Sequence, residues 1–179
     1  MKQVCVDLGI SVDVDRLIGD MDHILTVANW ESNQIALQYA SEESWTDGIG
    51  KSDHLLNDEQ QYTHYHSALD GLYIKEVLTG MNFPVSHARL MNLPPKTCYT
   101  THIDYYTRYH IPLTTRPLQT FMIFPDFEPS VARMPAGSIY WTNTHELHNF
   151  VNGTTQSRVH IVFNDATEDK YLDSKYLDS

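Results

Sequence analysis

Two short clusters of metal-ligating side chains stand out in this chain. His102 and Asp104 lie two residues apart, and His148 follows 44 residues after Asp104. Alternate residues of a β-strand share one face, so His102 and Asp104 are predicted to point the same way. Two imidazoles and one carboxylate form the ligand set that holds iron(II) on one face and leaves the opposite positions open. The spacing therefore predicts a catalytic metal centre formed by His102, Asp104 and His148.

An arginine follows at a spacing that suits an anionic cosubstrate. Arg158 lies ten residues after His148, in the stretch 157–162, which is predicted to be an inner strand. A dicarboxylate that chelates iron at one end needs a cation at its other end, because an unpaired carboxylate is very costly in a protein interior. The planar guanidinium binds carboxylates through two parallel hydrogen bonds. We therefore expect Arg158 to anchor 2-oxoglutarate; without the spacing to His148, a surface charge on an edge strand would be the simpler interpretation.

The number of ligands also bears on the kind of site. Four protein ligands would close it, as in structural zinc centres, whereas three leave room for a chelating 2-oxo acid and dioxygen. Manganese, cobalt and nickel fit the same ligands as iron. His145 competes with His148 for the distal position, but Asn152 and Arg158, four and ten residues after His148, favour His148. His145 is expected at the rim of the site.

A second basic pair precedes the distal histidine. Arg108 and His110 alternate in a stretch predicted to be a strand, so they share one face. If that face points inward, the pair contacts the cosubstrate carboxylate or a carboxylate on the prime substrate. The alternative is a surface arginine beside a half-buried histidine.

The composition limits the partners and the compartment. The net charge of −11 repels phosphate backbones, so nucleic acid is not expected as a partner. No run approaches the roughly 18 apolar residues of a membrane span, and the N-terminus has no apolar signal region. Cys5 and Cys98 are too few for a disulfide framework. We expect a cytoplasmic protein that acts on a small molecule or peptide; the sequence leaves its oligomeric state open.

The 179 residues are expected to form a single domain. Residues 1–84 are predicted to form an N-terminal α/β region with a substrate lid, residues 85–165 the catalytic core, and residues 166–179 a tail. The tail repeats the sequence KYLDS in tandem, which is too short for a solenoid, and we assign it no chemistry.

The core region consists of short segments rich in β-branched and aromatic residues, separated by turn residues. Such a pattern predicts a mainly β, α+β fold whose core is a double-stranded β-helix, a cupin-like jelly roll, with the N-terminal helices packed outside. The predicted strands are 86–93, 97–103, 109–114, 120–125, 138–143, 148–151 and 158–163.

The N-terminal region has a mixed pattern. A helix over 12–25, capped by Ser11, a strand over 34–40 and a helix over 67–81 are predicted. The polar stretch 41–67 between them is predicted to be a long loop, and loops of this length often cover a site. His64 and His66 in this loop have ligand spacing without an evident third ligand, so contact with substrate or plain surface exposure is expected instead.

Several of these motifs together resemble one family. The order Ala88-Arg89-Leu90, Leu93-Pro94-Pro95, His102-x-Asp104, Arg108-x-His110, Trp141-Thr-Asn143, His148-x-x-x-Asn152 and Arg158-Val-His160 resembles the aspartyl/asparaginyl β-hydroxylases, a family of Fe(II)/2-oxoglutarate-dependent dioxygenases. The resemblance covers roughly residues 85 to 164. It implies iron ligands at His102, Asp104 and His148, a cosubstrate anchor at Arg158, and Arg108 and His110 lining the cosubstrate pocket.

One departure narrows the resemblance. The membrane-anchored members of that family have glycine where Asp104 stands, so the retained carboxylate is more similar to the proline cis-4-hydroxylase branch. It also argues against halogenation, which needs this position vacant for halide. The resemblance implies hydroxylation of an amino acid or peptide side chain, with 2-oxoglutarate converted to succinate and carbon dioxide. The alternatives are a cupin-like metal protein or metalloenzyme that does not use 2-oxoglutarate, a non-catalytic domain stabilised by a metal, and a nucleic-acid demethylase, which the acidic charge disfavours.

Overall fold

Two antiparallel β-sheets form the framework of the computed structural model, which describes residues 3–50 and 58–171. In chain order the elements are β1 (Cys5–Ser11), α1 (Val14–Ile24), β2 (Gln34–Ala36), β3 (Gln38–Tyr39), β4 (His64–Tyr65), α2 (Tyr73–Thr79), β5 (Val85–Leu93), β6 (Thr97–Cys98), β7 (Arg108–Thr114), β8 (Thr120–Ile123), β9 (Val131–Ala132), β10 (Ser138–Thr142), β11 (Asn149–Asn152) and β12 (Arg158–Asp165). Short 3₁₀ turns lie at Glu59–Gln61 and Ser67–Leu69.

The larger sheet has six strands in the order β1-β10-β7-β12-β5-β2, and the smaller has four in the order β6-β11-β8-β9. Strands β3 and β4 form a separate pair. The two larger sheets face each other, because one apolar cluster combines Leu93 and Tyr140 of the large sheet with Met122 and Phe150 of the small one. This confirms the prediction of a mainly β jelly roll.

Strict alternation along the central strands separates the two faces of the large sheet. In β12, Val159, Ile161 and Phe163 join the main core cluster, while Arg158 and Val162 line a cavity on the other face. Neighbouring strands repeat this division, since side chains two residues apart share a face. The core-facing set packs against helical residues that include Leu17, Met21, Ile24, Ile74 and Leu78. The helices therefore cover the outer face of the sheet, as predicted, and the inner face is left for the site.

The N-terminal region is built into the sheet rather than placed beside it. β1 pairs with β10 at one edge, and β2 pairs with β5 at the other. The sequence pattern did not predict β1. This strand also moves the start of the first helix: Ser11 is paired with Ser138, and the helix cap is Asp13, whose carboxylate accepts a hydrogen bond of 3.1 Å from the backbone N–H of Arg16. The predicted cap at Ser11 is therefore wrong.

Other elements are shorter than predicted. The strand expected over 34–40 is interrupted at Leu37, whose backbone N–H donates to the carbonyl of Ala88. The helix expected over 67–81 is reduced to α2, because Gly71 has a φ of +84°, which breaks a continuous helix. None of the helices in the described part of the chain is long and apolar enough to cross a membrane.

Two predicted regions, the loop over 41–67 and the repeated tail, lie partly outside the described residues. Within the loop expected over 41–67, residues 51–57 are not described, and the remainder contains a 3₁₀ turn and strand β4. The repeated tail is described only as far as Tyr171, whose backbone N–H donates to the carbonyl of Tyr105. The start of the tail therefore lies against the chain between Asp104 and β7.

Candidate metal centre

Three of the predicted site residues come together in space. His102, Asp104 and His148 each offer one ligand atom, and these atoms lie within 4.8 Å of one another. Nε2 of His102 lies 3.9 Å from Oδ1 of Asp104, and Nε2 of His148 lies 3.8 Å from Oδ2 of Asp104. Bonds from a metal ion to nitrogen or oxygen ligands are about 2.0–2.2 Å long, so one ion can contact all three groups.

Both imidazoles are oriented by their backbone surroundings. His102 and His148 form an antiparallel bridge with N···O distances of 3.0 and 2.9 Å. Nδ1 of His102 lies 2.7 Å from the carbonyl oxygen of Thr100, and Nδ1 of His148 lies 2.9 Å from that of Glu146. Because a carbonyl oxygen only accepts, each Nδ1 carries the proton, which leaves the Nε2 lone pair for a metal ion. The donor set therefore fits a divalent ion.

The backbone reaches this geometry by a different route from the one predicted. The strand expected over 97–103 ends at Cys98, and His102 belongs to an isolated bridge. Asp104 follows in an irregular segment, where its backbone N–H donates 2.8 Å to the carbonyl of Thr144. His102 and Asp104 thus converge through a bridge and an irregular segment, and not as alternate residues of one regular strand.

Arg108 holds the carboxylate of Asp104 from behind. Its Nε donates 3.0 Å to Oδ2 of Asp104, and its Nη1 and Nη2 donate to the two carboxylate oxygens of Glu59. Nη1 also donates 2.6 Å to Oδ1 of Asn164. Burial acts to lower the pKa of Arg108, but the two carboxylates outweigh it and raise that pKa above its usual value. Arg108 is therefore a paired cation that lies against the predicted ligand Asp104.

Arg158 is also buried, at 3% exposure, but its surroundings differ. Its Nη2 bonds to Nδ1 of His160, and its guanidinium carbon lies 3.4 Å from the centre of the Phe150 ring. Within residues 3–50 and 58–171 no carboxylate pairs with it. Burial lowers the pKa of Arg158 to about 9, only partly opposed by Tyr99. This buried cation lacks the anion that would normally accompany it.

A cavity of about 130 Å³ joins the ligand cluster to both arginines. Its lining combines His102, Asp104 and His148 with groups from both sheets; the other lining residues are Glu59, Arg89, Met91, Tyr99, Arg108, His110, Met122, Thr144, Phe150, Arg158 and Val162. The predicted metal ligands and Arg158 therefore line one cavity between the sheets.

Several buried polar atoms around this cavity have no hydrogen-bond partner among the described residues. They include Nε of Arg89, both ring nitrogens of His110, Nε of Arg158 and Nε2 of His160. Most buried polar groups in native proteins are paired, so a cluster of unpaired ones indicates a place where a polar ligand binds. The pKa values of His110 and His160 are lowered well below the usual value, by burial first and by Arg158 second, so both rings are neutral donors or acceptors.

The competing histidines lie elsewhere. Nε2 of His145 is 3.4 Å from a carboxylate oxygen of Glu168, and the ring of His145 stacks on Tyr171 with centres 4.5 Å apart. His66 stacks on Trp45 with ring centres 3.8 Å apart. None of these residues is among those that line the cavity within the described chain.

Four residues of the site were not assigned a role from the sequence: Glu59, Arg89, Tyr99 and Asn164. Arg89 and Asn164 face inward from strands β5 and β12, and this placement follows from the alternation of the strands. Glu59 comes from a 3₁₀ turn in the N-terminal region, far from the motifs in the sequence. No local pattern marks it, because its partners are 49 and 105 residues away.

Asn152, four residues after His148, has a structural role. It is fully buried, and its amide nitrogen donates to the carbonyls of Leu93, Pro94 and Gln156 at 2.9 to 3.0 Å. Its Oδ1 accepts from the backbone N–H and the hydroxyl of Thr154. Asn152 therefore fixes the turn that joins β11, which follows His148, to β12, which begins at Arg158.

Comparison with known proteins supports the fold alone. No protein-family model matches the chain, and no curated protein matches it. Among solved structures, an oxidoreductase of the 2OG-Fe(II) oxygenase family from Burkholderia pseudomallei superposes with a TM-score of 0.54 at 14% identity, covering 93% of this chain and 86% of that one. A Pseudomonas putida prolyl-4-hydroxylase gives a TM-score of 0.51 at 12% identity, covering 94% and 95%. AviO1 from Streptomyces viridochromogenes gives 0.50 at 12% identity, covering 96% and 94%. This chain shares its architecture with these proteins along almost its whole length.

Proposed function

We propose that this protein is an Fe(II)- and 2-oxoglutarate-dependent dioxygenase that hydroxylates an amino acid or a peptide side chain. The observation that carries the proposal is Arg158, a buried guanidinium without a carboxylate partner in the described chain, in the same cavity as His102, Asp104 and His148. A metal protein that binds no anionic cosubstrate has no use for such a cation. The similar fold of two proteins whose names include an oxygenase family and a hydroxylase is consistent with this activity.

The residues of the site would divide the work between two ends of the cavity. His102, Asp104 and His148 would hold the ion, and Arg158 would bind the far carboxylate of the cosubstrate. His160 and Phe150 would keep the guanidinium in place through the contacts described above. When bound, iron(II) and 2-oxoglutarate, with dioxygen as the oxidant, would supply the chemistry that converts a C–H bond to an alcohol; one oxygen atom of dioxygen enters the alcohol and the other enters succinate, and carbon dioxide is released. The apolar lining by Met91, Met122 and Val162 would keep water out.

The charges around the cavity favour a substrate that is itself an anion. Three guanidinium groups and two carboxylates line it, and with neutral histidines this leaves one net positive charge. A divalent ion and a doubly charged cosubstrate cancel, so that positive charge remains when both are bound. Arg89 is a candidate for it: its Nη1 donates 3.0 Å to Gln34, its Nε is unpartnered, and burial lowers its pKa to about 10. We therefore propose a substrate with a free carboxylate, held by Arg89.

Such a substrate agrees with the branch suggested by the sequence. The aspartyl/asparaginyl β-hydroxylase resemblance, and within it the proline cis-4-hydroxylase-like group, remains a proposal about ancestry and specificity. In this proposal Arg108 and His110, both predicted to line the cosubstrate pocket, have different roles. Arg108 has its donors occupied by Asp104, Glu59 and Asn164, so it would shape the site, whereas His110 has both nitrogens free to meet a ligand.

The direct test is turnover of 2-oxoglutarate. Purified protein would be incubated with iron(II), ascorbate and 2-oxoglutarate, and succinate would be measured with free amino acids, with the same amino acids as carboxyl amides, and with short peptides. We expect succinate formation to be stimulated by one or more free acids and less by the matching amides. If no member of the panel stimulates succinate and calorimetry detects no binding of 2-oxoglutarate to the metal-loaded protein, the site does not use this cosubstrate.

A further inference from the structure

A buried carboxylate from the N-terminal region reaches the back of the metal cluster. Glu59 lies in a 3₁₀ turn and is 6% exposed. Its Oε1 accepts 3.1 Å from Nη2 of Arg108, and its Oε2 accepts from Nη1 of the same side chain. Nδ2 of Asn164 donates 2.7 Å to Oε2 as well. Both oxygens of Glu59 are thus bonded to Arg108, which also contacts the predicted ligand Asp104, and Glu59 itself is not part of the cluster formed by His102, Asp104 and His148.

We propose that Glu59 is a positioning residue for the metal ligand Asp104 and that it acts through Arg108. Arg108 bonds Asp104 through Nε and Glu59 through Nη1 and Nη2, so its rigid guanidinium transmits the position of one carboxylate to the other. Asn164 closes the arrangement, because it accepts from Arg108 and donates to Glu59. The inference rests on the proposed function only in so far as Asp104 binds a metal ion.

Charge gives Glu59 a role that a neutral group of the same shape cannot fill. A guanidinium bonded to a ligating carboxylate competes with the ion for the negative charge of that carboxylate. Glu59 supplies a second negative charge to Arg108 in a buried setting, where such interactions are stronger than in water. Arg108 can therefore orient Asp104 and leave most of its charge for the ion. Groups in this outer position around a metal commonly tune its affinity tenfold to hundredfold.

The backbone near Glu59 departs from the regular sheet to reach it. His87 in β5 has a φ of +52°, a conformation that non-glycine residues rarely adopt, at an irregularity of the β5–β12 pairing. This conformation brings Nδ1 of His87 to 3.2 Å from Oε2 of Glu59. The ring of Tyr62 stacks on His87 with centres 4.8 Å apart. Unusual backbone conformations of this kind persist where the surroundings enforce them, and they are common at functional sites.

A glycine on the other side shows how closely this packing is fitted. A Cβ atom at Gly48 would lie 2.9 Å from Nε2 of His87 and 3.0 Å from the ring of Tyr62. Gly48 also has a φ of +74°. Glycine is therefore favoured here both by the lack of space for a Cβ atom and by the backbone conformation. Gly48, before residues 51–57, and Tyr62, after them, therefore both pack against the side chain of His87. The N-terminal region contributes in this way to the metal ligand cluster without providing a ligand.

The test compares metal affinity in two matched glutamate variants. Glu59→Gln keeps the shape of the side chain and removes its charge, and Glu43→Gln makes the same change at an exposed residue whose partners are His66 and Ser67. Binding of cobalt(II) to metal-free protein would be followed by calorimetry and by the visible absorption of the bound ion. We expect Glu59→Gln to weaken binding tenfold to hundredfold and to alter the absorption spectrum. Glu43→Gln should match the wild type in both, and Glu59→Asp, which keeps the charge, should recover part of the affinity.

Opposite results would overturn the inference. Cobalt(II) affinity within twofold of wild type and an unchanged spectrum in folded Glu59→Gln would mean that Glu59 only supports the fold. If Glu59→Gln does not fold, Asn164→Ala serves instead, since it removes the bonds to Arg108 and Glu59 and leaves the charges in place. That variant should bind cobalt(II) at least threefold more weakly, and unchanged affinity would reject the proposal. A wild-type protein that binds cobalt(II) but forms no succinate would reject the proposed function alone.

Discussion

Two arginines buried in the same cavity have opposite surroundings. Arg108 is bonded to two carboxylates, Asp104 and Glu59, and its pKa is raised. Arg158 has a histidine and a phenylalanine ring beside it and no carboxylate in the described chain, and burial lowers its pKa to about 9. The first cation is compensated by the protein itself. The second would be compensated by the cosubstrate in the proposed function.

The difference separates two uses of buried charge. A paired cation holds other groups in place, and removing it leaves its partners unpaired in a low-dielectric interior. An unpaired cation costs stability in the free protein and regains it when an anion arrives. In the proposed function, the same residue type would thus have a positioning role at one end of the cavity and a binding role at the other.

The largest effect should come from removing the ion on which both roles depend. His102→Ala deletes one of three predicted ligands, and we expect turnover of 2-oxoglutarate to fall to the background rate and cobalt(II) binding to be lost. Succinate formation and calorimetry measure these two quantities. His23→Ala, at an exposed position in the last turn of α1, is the control and should retain both. Normal turnover in His102→Ala would mean that His102 is not a ligand of the catalytic ion and that the two arginines do not flank such a site.

Stability should respond in opposite directions to matched changes at the two arginines. Arg108→Met leaves Glu59 and Asp104 buried without their cation, and we expect the free energy of unfolding of the metal-free protein to fall by about 3–5 kcal/mol. Arg158→Met removes an unpaired buried charge, and we expect no loss or a gain on the order of 1 kcal/mol. Urea denaturation of both variants measures the difference. Equal destabilisation by the two substitutions would contradict the difference between Arg108, which is paired with carboxylates, and Arg158, which has no carboxylate partner in the described chain.

Cosubstrate dependence should follow Arg158 alone. Arg158→Gln removes hydrogen bonds from a charged group to a carboxylate, each worth about 1.5–3 kcal/mol, which corresponds to a KM for 2-oxoglutarate raised tenfold to hundredfold. The rate at saturating 2-oxoglutarate should change less. Steady-state kinetics separates the two parameters. The control is Arg116→Gln, an exposed arginine bonded to Gln156, for which the KM should not change.

The smallest effect concerns pH. Binding of a carboxylate needs the protonated form of Arg158, and burial lowers the pKa of that group to about 9 in the free protein, well below its usual value. Affinity for 2-oxoglutarate should therefore be constant below pH 9 and weaken about tenfold per pH unit above it. For the stability of the free protein the sign is opposite: above pH 9 the unfolded chain keeps a proton that the folded chain has lost, so this group makes folding more favourable as pH rises from 9 towards the usual pKa of arginine. Calorimetric titrations from pH 7 to 10 test the first statement, and Arg158→Gln should show no such dependence.

The sequence was most informative about the sheets and about the residue types of the site. The jelly roll was predictable because alternation is a local property of each strand, and the His102, Asp104 and His148 cluster was predictable from ligand type and spacing. The route by which His102 and Asp104 meet was not, since the bridge to His148 depends on a contact between distant segments. The same reason hid Glu59, whose position depends on Arg108 and Asn164.

The N-terminal region was the least predictable part. β1 is an edge strand defined by its pairing with β10, and its own pattern did not predict it, whereas the edge strand β2 lies within the strand predicted over 34–40. The first helix was placed too early because Ser11 has the composition of a cap but belongs to β1. The second was made too long because Gly71 interrupts a segment whose apolar residues otherwise have helical spacing.

The buried amide of Asn152 has a consequence for the choice of 2-oxo acid. By tying the turn after β11 to the carbonyls of Leu93, Pro94 and Gln156, it sets the separation between the histidine that precedes β11 and the arginine that opens β12. This distance would select the length of a diacid that has one terminus at the ion and the other at the guanidinium. We expect a four-carbon 2-oxo diacid to be too short to contact both groups and a six-carbon one to be too long. Asn152 would therefore determine chain-length selectivity without contacting the diacid.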